Sequence, residues 1–376
     1  MLIVTDEELR AFAARAQSSD VLAIDTEFLR ERTYYPQLCL LQLGTDDEQV
    51  AVDPFKVKDV DTLRELFCDP SITKVLHACS QDMEILLDVY GVLPRPLFDT
   101  QIAATYLGDR SQIGYAALVE EYCGVSLPKT ESLTDWSRRP LDDKQLAYAY
   151  DDVRYLPAIW RQMRDRLTER GRLSWAACDF QTASEAQTYA RDPREAFRKL
   201  RHVSGLSARQ LAVAREVAAW REQTAQRIDR PRRWVLADEL VVEVAKRMPR
   251  SVAQVERIRS LSSASRTTQA EIVRAVERGL ACPEGELPSP QGHVRPTTDQ
   301  ESVCDLMYAV SRKVAESEDI ALSTLCSRDD LMSFLLDRDS SPVAHGWREE
   351  VLGLALDDLL VGKLGLTVRN GCVELL

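Results

Sequence analysis

The sequence predicts an α/β domain followed by two all-helical segments. Strand-like runs alternate with helical periodicity up to about residue 185, and only helical periodicity follows from about residue 190. The chain has 376 residues, more than twice a typical domain length, so we expect two or three domains.

Three short runs rich in Val, Ile and Leu open the predicted sheet. They are VLAIDTEF (21–28), QLCLLQLG (37–44) and EQVAVD (48–53), and turn residues precede the third run. This spacing predicts a meander of neighbouring strands. The next elements are predicted in order as a helix over 60–70 that Pro70 ends, a strand over 73–78, and a helix over 80–91 with Ser80 as its cap and Gly91 past its end.

Helical periodicity continues from Asp99 to about residue 185, apart from one polar interruption. That interruption, LPKTESLTDWSRRPLDD (127–143), is long enough to be a functional loop. We therefore place the boundary of the α/β domain at residue 188.

The second half reads as helices joined by one linker. Four prolines and two glycines without periodicity mark residues 282–300 as that linker. The predicted domains are 1–188, 189–282 and 301–376, with a Pro-rich linker over 283–300. The helices predicted before the linker cover 193–203, 207–227, 236–247, 251–259 and 269–280.

The charge of the chain is strongly polarised. The net charge is −12, yet residues 191–280 carry 20 Lys and Arg against 11 Asp and Glu, a local net charge of +9. The remainder carries 28 against 49, a net charge of −21. A uniformly basic coat is excluded, but one basic segment remains available to bind a polyanion.

Cysteine usage and hydropathy predict the compartment. The nine cysteines form no C-x-x-C pair, which argues against a disulfide framework and a zinc knuckle. The N-terminus does not resemble a signal peptide, and no segment reaches 18 uninterrupted apolar residues. We expect a cytoplasmic protein with reduced thiols and no membrane partner.

Two carboxylates end the first apolar run. Side chains alternate across a strand, so Asp25 and Glu27 share one face while Thr26 lies on the other. Like charges on one face must be solvated or share a cation, and a hard divalent ion would serve. A strand end that runs into solvent is the alternative for this motif alone.

Further candidate carboxylates lie on two predicted helices. Asp82 is in the first turn of the helix over 80–91, where the helix dipole favours an acid whatever its function. In LAYAYDDVRYL (146–156), Tyr148 shares a helix face with Asp152 at a spacing of four and with Asp151 at a spacing of three. Periodicity does not separate these two pairs.

These motifs together resemble a known nuclease family. D-T-E at the end of a first strand, Asp82 in H-A-C-S-x-D, and Y-x-x-x-D on a late helix resemble the three exonuclease motifs of the tyrosine-type DEDD superfamily. GYAALVEEYCGVSLPKTESLTDWSRRPL is similar to the ribonuclease D family, and IDRPRRWVLADELVVEVAKRMP resembles an HRDC domain. The resemblance implies a ribonuclease H-like exonuclease domain, with a mixed sheet flanked by helices, followed by two all-α HRDC-type bundles.

The resemblance also implies the roles of the motif residues. It implies that Asp25, Glu27, Asp82 and Asp152 hold two divalent metal ions, Mg²⁺ or Mn²⁺, and that Tyr148 contacts the attacking water. It favours Asp152 over Asp151, because the motif has three intervening residues. Carboxylates suit these cations, and two metal ions can stabilise both the attacking and the leaving oxygen of a phosphodiester.

The expected function is metal-dependent 3′–5′ exoribonuclease activity that releases nucleoside 5′-monophosphates. The resemblance implies tRNA precursors with 3′ extensions as substrates, and we expect a monomer. The alternatives are a DNA 3′–5′ exonuclease and a non-catalytic nucleic-acid-binding scaffold. Candidate nucleic-acid contacts are Trp136, Arg139, Arg230, Arg232, Arg233 and Trp234. A buried Trp136 that closes its loop, and a solvated basic face on the helices, are the alternatives for these residues.

Overall fold

The computed structural model describes residues 1–108, 112–128, 134–289 and 296–376. The chain clusters into two compact units. Unit 1 comprises Met1–Phe28, Leu38–Thr188 and Pro296–Leu376, and unit 2 comprises Leu29–Gln37 and Tyr189–Arg295. The predicted loop over 127–143 and the predicted linker over 283–300 lie partly outside the described residues.

The α/β part of unit 1 is built on a mixed sheet, as predicted. Its described strands are β1 (Leu2–Ile3), β2 (Val21–Leu29), β3 (Gln37–Gly44), β4 (Gln49–Val52), β5 (Thr73–Leu76) and β6 (Leu97–Asp99). They form one sheet in the order β1-β4-β3-β2-β5-β6, so the three runs of the predicted meander are neighbours. β3 is antiparallel to β4, whereas β1 with β4, β2 with β5, and β5 with β6 are parallel.

Helices accompany the sheet, and their ends follow local chemistry. The described helices of this part are α1 (Asp6–Ala16), α2 (Val60–Cys68), α3 (Ser80–Tyr90), α4 (Thr100–Thr105), α5 (Tyr115–Cys123), α6 (Asp143–Arg154), α7 (Leu156–Glu169) and α8 (Leu173–Ala183). α6 begins with a capping box in which the side chains of Asp142 and Gln145 accept reciprocal backbone N–H bonds. α3 ends at the left-handed Gly91, as predicted, but Ser80 is its first residue and not its cap.

The centre of the sheet is buried, which explains the apolar runs. Every residue of β3 from Leu38 to Gly44 is buried, as are the first four residues of β2. Gly44 allows α6 to approach the sheet closely, since a Cβ at this position would lie 3.1 Å from the carbonyl oxygen of Val153. The close approach places α6 beside the strands.

Unit 2 is a helical bundle around its own core. Its described helices are α9 (Ala208–Ile228), α10 (Arg232–Val235), α11 (Asp238–Arg247), α12 (Val252–Val255) and α13 (Arg266–Leu280). α9 and α13 meet at Gly279, where a Cβ would lie 2.5 Å from the Cα of Val213. The helix predicted over 193–203 is instead a 3₁₀ helix, Pro193–Lys199, which ends where Leu200 takes an extended backbone conformation.

The C-terminal part of unit 1 is helical until its last residues. Its described elements are α14 (Thr298–Glu318), α15 (Leu322–Leu325), α16 (Arg328–Leu336), two 3₁₀ turns over Arg338–Ser340 and Pro342–Ala344, α17 (Gly346–Arg348), a π-helical turn over Glu349–Gly353, α18 (Leu354–Leu360), β7 (Leu366–Arg369) and β8 (Cys372–Leu375). The prediction of helix up to the C-terminus was wrong here, because β7 and β8 form an antiparallel hairpin. Asn370 and Gly371 both have positive φ, the combination that a tight hairpin turn requires.

The C-terminal helices contact the α/β part within unit 1. Trp347 stacks on Trp175 with ring centroids 4.7 Å apart. Asp319 accepts a hydrogen bond of 2.7 Å from the guanidinium of Arg170, and its backbone carbonyl accepts one of 3.1 Å from Arg172. Among the described helices, none is both long and apolar enough to cross a membrane.

Arg139 joins the predicted functional loop to the sheet. Its guanidinium donates to both carboxylate oxygens of the buried Asp53, at 2.8 and 3.1 Å, and to the carbonyls of Cys39 and Trp136 at 2.7 and 2.8 Å. Burial favours a higher pKa for Asp53, but the hydrogen bonds from Arg139 and from the N–H of Phe55 hold that pKa below its ordinary value. This geometry gives Arg139 a structural role, and its contact with nucleic acid stays a prediction.

We predict that Arg139→Ala lowers the free energy of unfolding by about 3–5 kcal/mol, because it leaves the Asp53 carboxylate buried without a partner. Arg139→Lys should restore only part of the loss, since lysine lacks the planar fork. Urea denaturation followed by circular dichroism measures both effects.

Arg138→Ala is the matched control, because the ion pair of Arg138 with Asp135 is largely exposed. Its effect should stay within about 0.5 kcal/mol. Unchanged stability of Arg139→Ala together with a loss of RNA affinity would contradict the structural role and restore the predicted nucleic-acid contact.

Candidate functional site

β2 presents two of the predicted carboxylates. Its first four residues are buried, and Asp25 and Glu27 follow as partly buried residues on one face of the strand. Their strand is central in the sheet, between β3 and β5. A solvated strand end, the alternative for this motif, does not describe this position.

α6 brings a third carboxylate to the same place. Side-chain oxygens of Asp25, Glu27 and Asp152 all lie within 4.8 Å of one another. Asp151 points elsewhere and forms an ion pair of 2.9 Å with Arg154. The structure therefore places Asp152, and not Asp151, with the carboxylates of β2.

Asp82 joins the site through a residue that the sequence analysis did not single out. Thr26 lies between the two acids of β2 and donates a short hydrogen bond from its hydroxyl to Asp82, which is 8% exposed. Thr26 thus fixes the fourth carboxylate from the opposite face of the strand. The signal for this role was its position inside the D-T-E motif, but alternation alone does not reveal its partner.

Burial and mutual repulsion raise the pKa values of the cluster. Burial is the largest cause in each case. It raises the pKa of Glu27 to about 8, with repulsion from Asp152 and Asp82 adding to the shift. It raises the pKa of Asp152 to about 7 and that of Asp82 to about 6, although the Thr26 hydrogen bond limits the latter. The pKa of Asp25 rises well above its ordinary value from burial and from all three neighbouring acids.

The donor set fits divalent cations. Oδ2 of Asp152 is buried and has no hydrogen-bond partner among the described residues, which is costly for a carboxylate oxygen unless another group satisfies it. Carboxylate oxygens are the ligands that Mg²⁺ and Mn²⁺ prefer. A bound cation would supply the positive charge that the ionised forms of these carboxylates lack.

Tyr148 and Trp136 lie beside the carboxylates. Tyr148 is one helical turn before Asp152 on α6, and burial followed by the charge of Asp152 raises its pKa above the ordinary value. The ring centroid of Trp136 is 6.0 Å from that of Tyr148. Trp136 is only 2% exposed. This burial favours a role in closing its loop rather than a role in stacking on a base.

The predicted basic contacts on unit 2 differ in their partners. Arg232 pairs with Glu222 at 3.1 Å, and Arg233 pairs with Asp238 at 3.2 Å. Arg230 instead donates to the backbone carbonyl of Arg32. Trp234 is 62% exposed, so it is available to a ligand.

Comparisons with known protein families agree with this geometry. Residues 1–168 match a 3′–5′ exonuclease family, and residues 210–276 match the HRDC domain family. The first match contains all five motif residues, and the second lies within unit 2.

Full-length relatives and a solved structure give the same result. Ribonuclease D of Gluconacetobacter diazotrophicus is 37% identical over 98% of this chain and 96% of its own length, and ribonuclease D of Nitrobacter hamburgensis is 38% identical over 99% and 98%. The crystal structure of Escherichia coli RNase D, an exoribonuclease involved in structured RNA processing, matches with a TM-score of 0.84, at 33% identity over 96% of this chain and 98% of that chain. These similarities show an enzyme with 3′–5′ exoribonuclease activity, and the chain belongs to the ribonuclease D family.

Proposed function

We propose that this enzyme trims 3′ extensions from tRNA precursors and releases nucleoside 5′-monophosphates. The observation that carries the proposal is the convergence of Asp25, Glu27 and Asp152 at the centre of the sheet, with Asp82 held by Thr26. In each cycle, water attacks the phosphorus of the terminal phosphodiester, and the bond to the 3′ oxygen breaks. The shortened RNA keeps a free 3′-hydroxyl.

Asp25, Glu27, Asp82 and Asp152 would hold two ions of Mg²⁺ or Mn²⁺. Such ions stabilise the attacking and leaving oxygens of a phosphodiester and favour ionisation of water near neutral pH. Burial, with neighbouring acids, holds the pKa values of all four carboxylates above their ordinary values, so they are poised to release protons when cations bind.

Tyr148 orients the attacking water. Its raised pKa keeps the phenol protonated near neutral pH, so it is a hydrogen-bonding group and a poor general base. Its place on the same face of α6 as Asp152 puts the hydroxyl beside the carboxylate cluster.

Unit 2 supplies affinity for the RNA. The segment 191–280 has a net charge of +9 in an otherwise acidic chain, which favours attraction of a polyanion. The proposed contacts on this unit are Arg230, Arg232, Arg233 and Trp234. The acid partners of Arg232 and Arg233 reduce the contribution of these two side chains to RNA affinity.

Residues 301–376 form a second HRDC-like module in this proposal, following an exonuclease domain (1–188), an HRDC domain (189–282) and a linker (283–300). Its support is a structural repeat with an offset of 90 residues. α9 and α14 both span 21 residues and begin with capping boxes at Ser207 and Thr297. Both end at a left-handed aspartate, Asp229 or Asp319, before a four-residue helix.

We also propose a monomer that works in the cytoplasm. Support for the compartment comes from the nine cysteines, all of which are free thiols, as expected in a reducing environment. For the monomer, the four carboxylates and Tyr148 all lie on one chain, so catalysis needs no residue from a second copy.

The test of the proposed substrate compares a 3′-extended tRNA with a single-stranded DNA of the same 3′ sequence. Each is incubated with Mg²⁺, Mn²⁺ or a chelator, and products are resolved by electrophoresis. We expect 5′-monophosphates from the tRNA with either metal and none with chelator. Equal or faster hydrolysis of the DNA would contradict the RNA assignment, and binding without hydrolysis would indicate a scaffold.

Asp25→Asn and Asp152→Asn should each lower kcat by about three orders of magnitude or more, because each removes charge that holds a cation while changing volume little. The parent protein should gain about 2.7 kcal/mol of stability when Mn²⁺ is present at about 100 times its Kd. Both variants should lose most of this gain in thermal unfolding measurements.

Asp151→Asn is the matched control for this pair, because the Asp151 carboxylate is paired with Arg154. It should keep near-parental activity and metal stabilisation. Loss of activity in Asp151→Asn with normal activity in Asp152→Asn would reject the assignment on α6.

Tyr148→Phe should lower kcat by about a hundredfold, because the attacking water loses the group that orients it. The affinity for Mn²⁺ should stay within about twofold of the parent, since the hydroxyl is assigned to water and not to a cation. Isothermal titration calorimetry with Mn²⁺ measures this second quantity. A large fall in Mn²⁺ affinity would show that Tyr148 acts in metal binding.

A further inference from the structure

One segment of the exonuclease chain belongs structurally to unit 2. Leu29–Gln37 joins β2, which carries Asp25 and Glu27, to β3, yet it clusters with Tyr189–Arg295. We name this segment, residues 29–37, the β2–β3 excursion. Whatever binds to the excursion is therefore bound within a few residues, along the chain, of the proposed metal-binding strand.

Asp229 holds the excursion in place. Its Oδ1 accepts hydrogen bonds from the backbone N–H groups of Tyr34 and Tyr35, at 2.9 and 3.1 Å. Asp229 itself is the left-handed residue that ends α9. The side chain of Gln226, one turn earlier on α9, donates to the Tyr34 hydroxyl at 3.2 Å. The end of α9 thus orients both tyrosines.

Two contacts between an aromatic ring and a guanidinium group lie in this part of unit 2. Arg191 lies with its Cζ 5.2 Å from the ring centroid of Tyr35, which is 37% exposed. Arg230 lies 5.9 Å from the ring of Trp234, and donates at 3.4 Å to the carbonyl of Arg32 in the excursion. The two aromatic–cation pairs are therefore linked through the excursion.

The charge of Arg230 is less compensated than the charges of Arg232 and Arg233. Arg232 and Arg233 each face an acid, whereas Arg230 has no acid partner within the part of the chain that the structure describes. A positive charge next to exposed rings suits a ligand that is both anionic and aromatic. Single-stranded RNA has this chemistry, since its bases stack on aromatic rings and its phosphates attract arginine.

We propose that Tyr35, Trp234, Arg191 and Arg230 form a platform that binds the single strand of the substrate RNA. This inference rests on the proposed function, because it assigns the platform to the RNA that the carboxylate site shortens. Stacking does not depend on base identity, so the platform would accept successive sequences as the 3′ end recedes. Asp229 is its positioning residue, because it fixes the excursion without facing the ligand.

Binding of fluorescein-labelled single-stranded RNA, followed by anisotropy in the Asp25→Asn background with chelator, tests the platform. A long homopolymer and a probe of a few nucleotides are compared. Trp234→Ala and Tyr35→Ala should each weaken binding of the long probe about tenfold and leave the short probe unchanged. Trp234→Phe should retain most of the affinity, because it keeps an aromatic face.

Tyr308→Ala is the matched control, since Tyr308 also packs against arginines but lies on α14 in unit 1. It should leave binding unchanged. Asp229→Ala should weaken binding of the long probe as the platform variants do. Asp229→Asn should leave this binding unchanged, because its amide oxygen still accepts the two N–H bonds and asparagine tolerates the left-handed conformation.

Parental affinity of Trp234→Ala for the long probe would overturn the platform, since Trp234 is exposed and its removal should not disturb the fold. Two other results would overturn the platform as well. One is equally weakened binding of the long and short probes, and the other is a loss of binding in Tyr308→Ala as large as that in Trp234→Ala. Failure of the proposed function gives a different result. In that case the Asp25→Asn enzyme, assayed with Mn²⁺, would still degrade RNA, whatever the platform variants do.

Discussion

The crowding of four carboxylates, of which Asp82 is buried and the other three are partly buried, is the constraint on which the site depends. Burial and mutual charge raise the pKa of Glu27 to about 8 and that of Asp152 to about 7, so the cluster disfavours its own ionised form. Such a cluster persists only where the surrounding structure holds its side chains in place. In the proposed function, a divalent cation would supply the missing positive charge.

Several packing features hold the cluster against this repulsion. β2 is central in the sheet, and its buried first half fixes the two acids that follow. The bare backbone of Gly44 lets α6 approach the sheet, where its Asp142 capping box fixes the start of the helix that carries Asp152. Thr26 reaches Asp82 from the other face of β2. Arg139 anchors the loop that brings Trp136 next to Tyr148. Each element of the site is therefore positioned by packing and hydrogen bonds from residues outside the four carboxylates and Tyr148.

Much of this architecture was predictable, and the exceptions have physical reasons. The neighbouring strands β2, β3 and β4 followed from apolar runs with turn residues between them, the mixed sheet followed from the family resemblance, and long helices such as α9 and α13 followed from their periodicity. β1 and β6 are too short, at two and three residues, to leave a pattern. The C-terminal hairpin had a usable signal in Asn370–Gly371, but the helices before it dominated the interpretation.

Spacing alone did not separate Asp151 from Asp152; that required the family resemblance, and the structure then placed Asp151 against Arg154. The 90-residue repeat of α9 and α14 lies in the positions of their caps and turns, whereas most of their amino acids differ. It was therefore not visible in the sequence.

The central claim is that this acidic cluster is a binding site for two divalent cations, and diffraction from crystals soaked in Mn²⁺ tests it most directly. Anomalous difference maps should show two peaks bounded by Asp25, Glu27, Asp82 and Asp152, with both peaks lost or weakened in crystals of Asp152→Asn. Absence of anomalous density at the cluster under saturating Mn²⁺, or binding of Mn²⁺ only at other acidic residues, would contradict the claim.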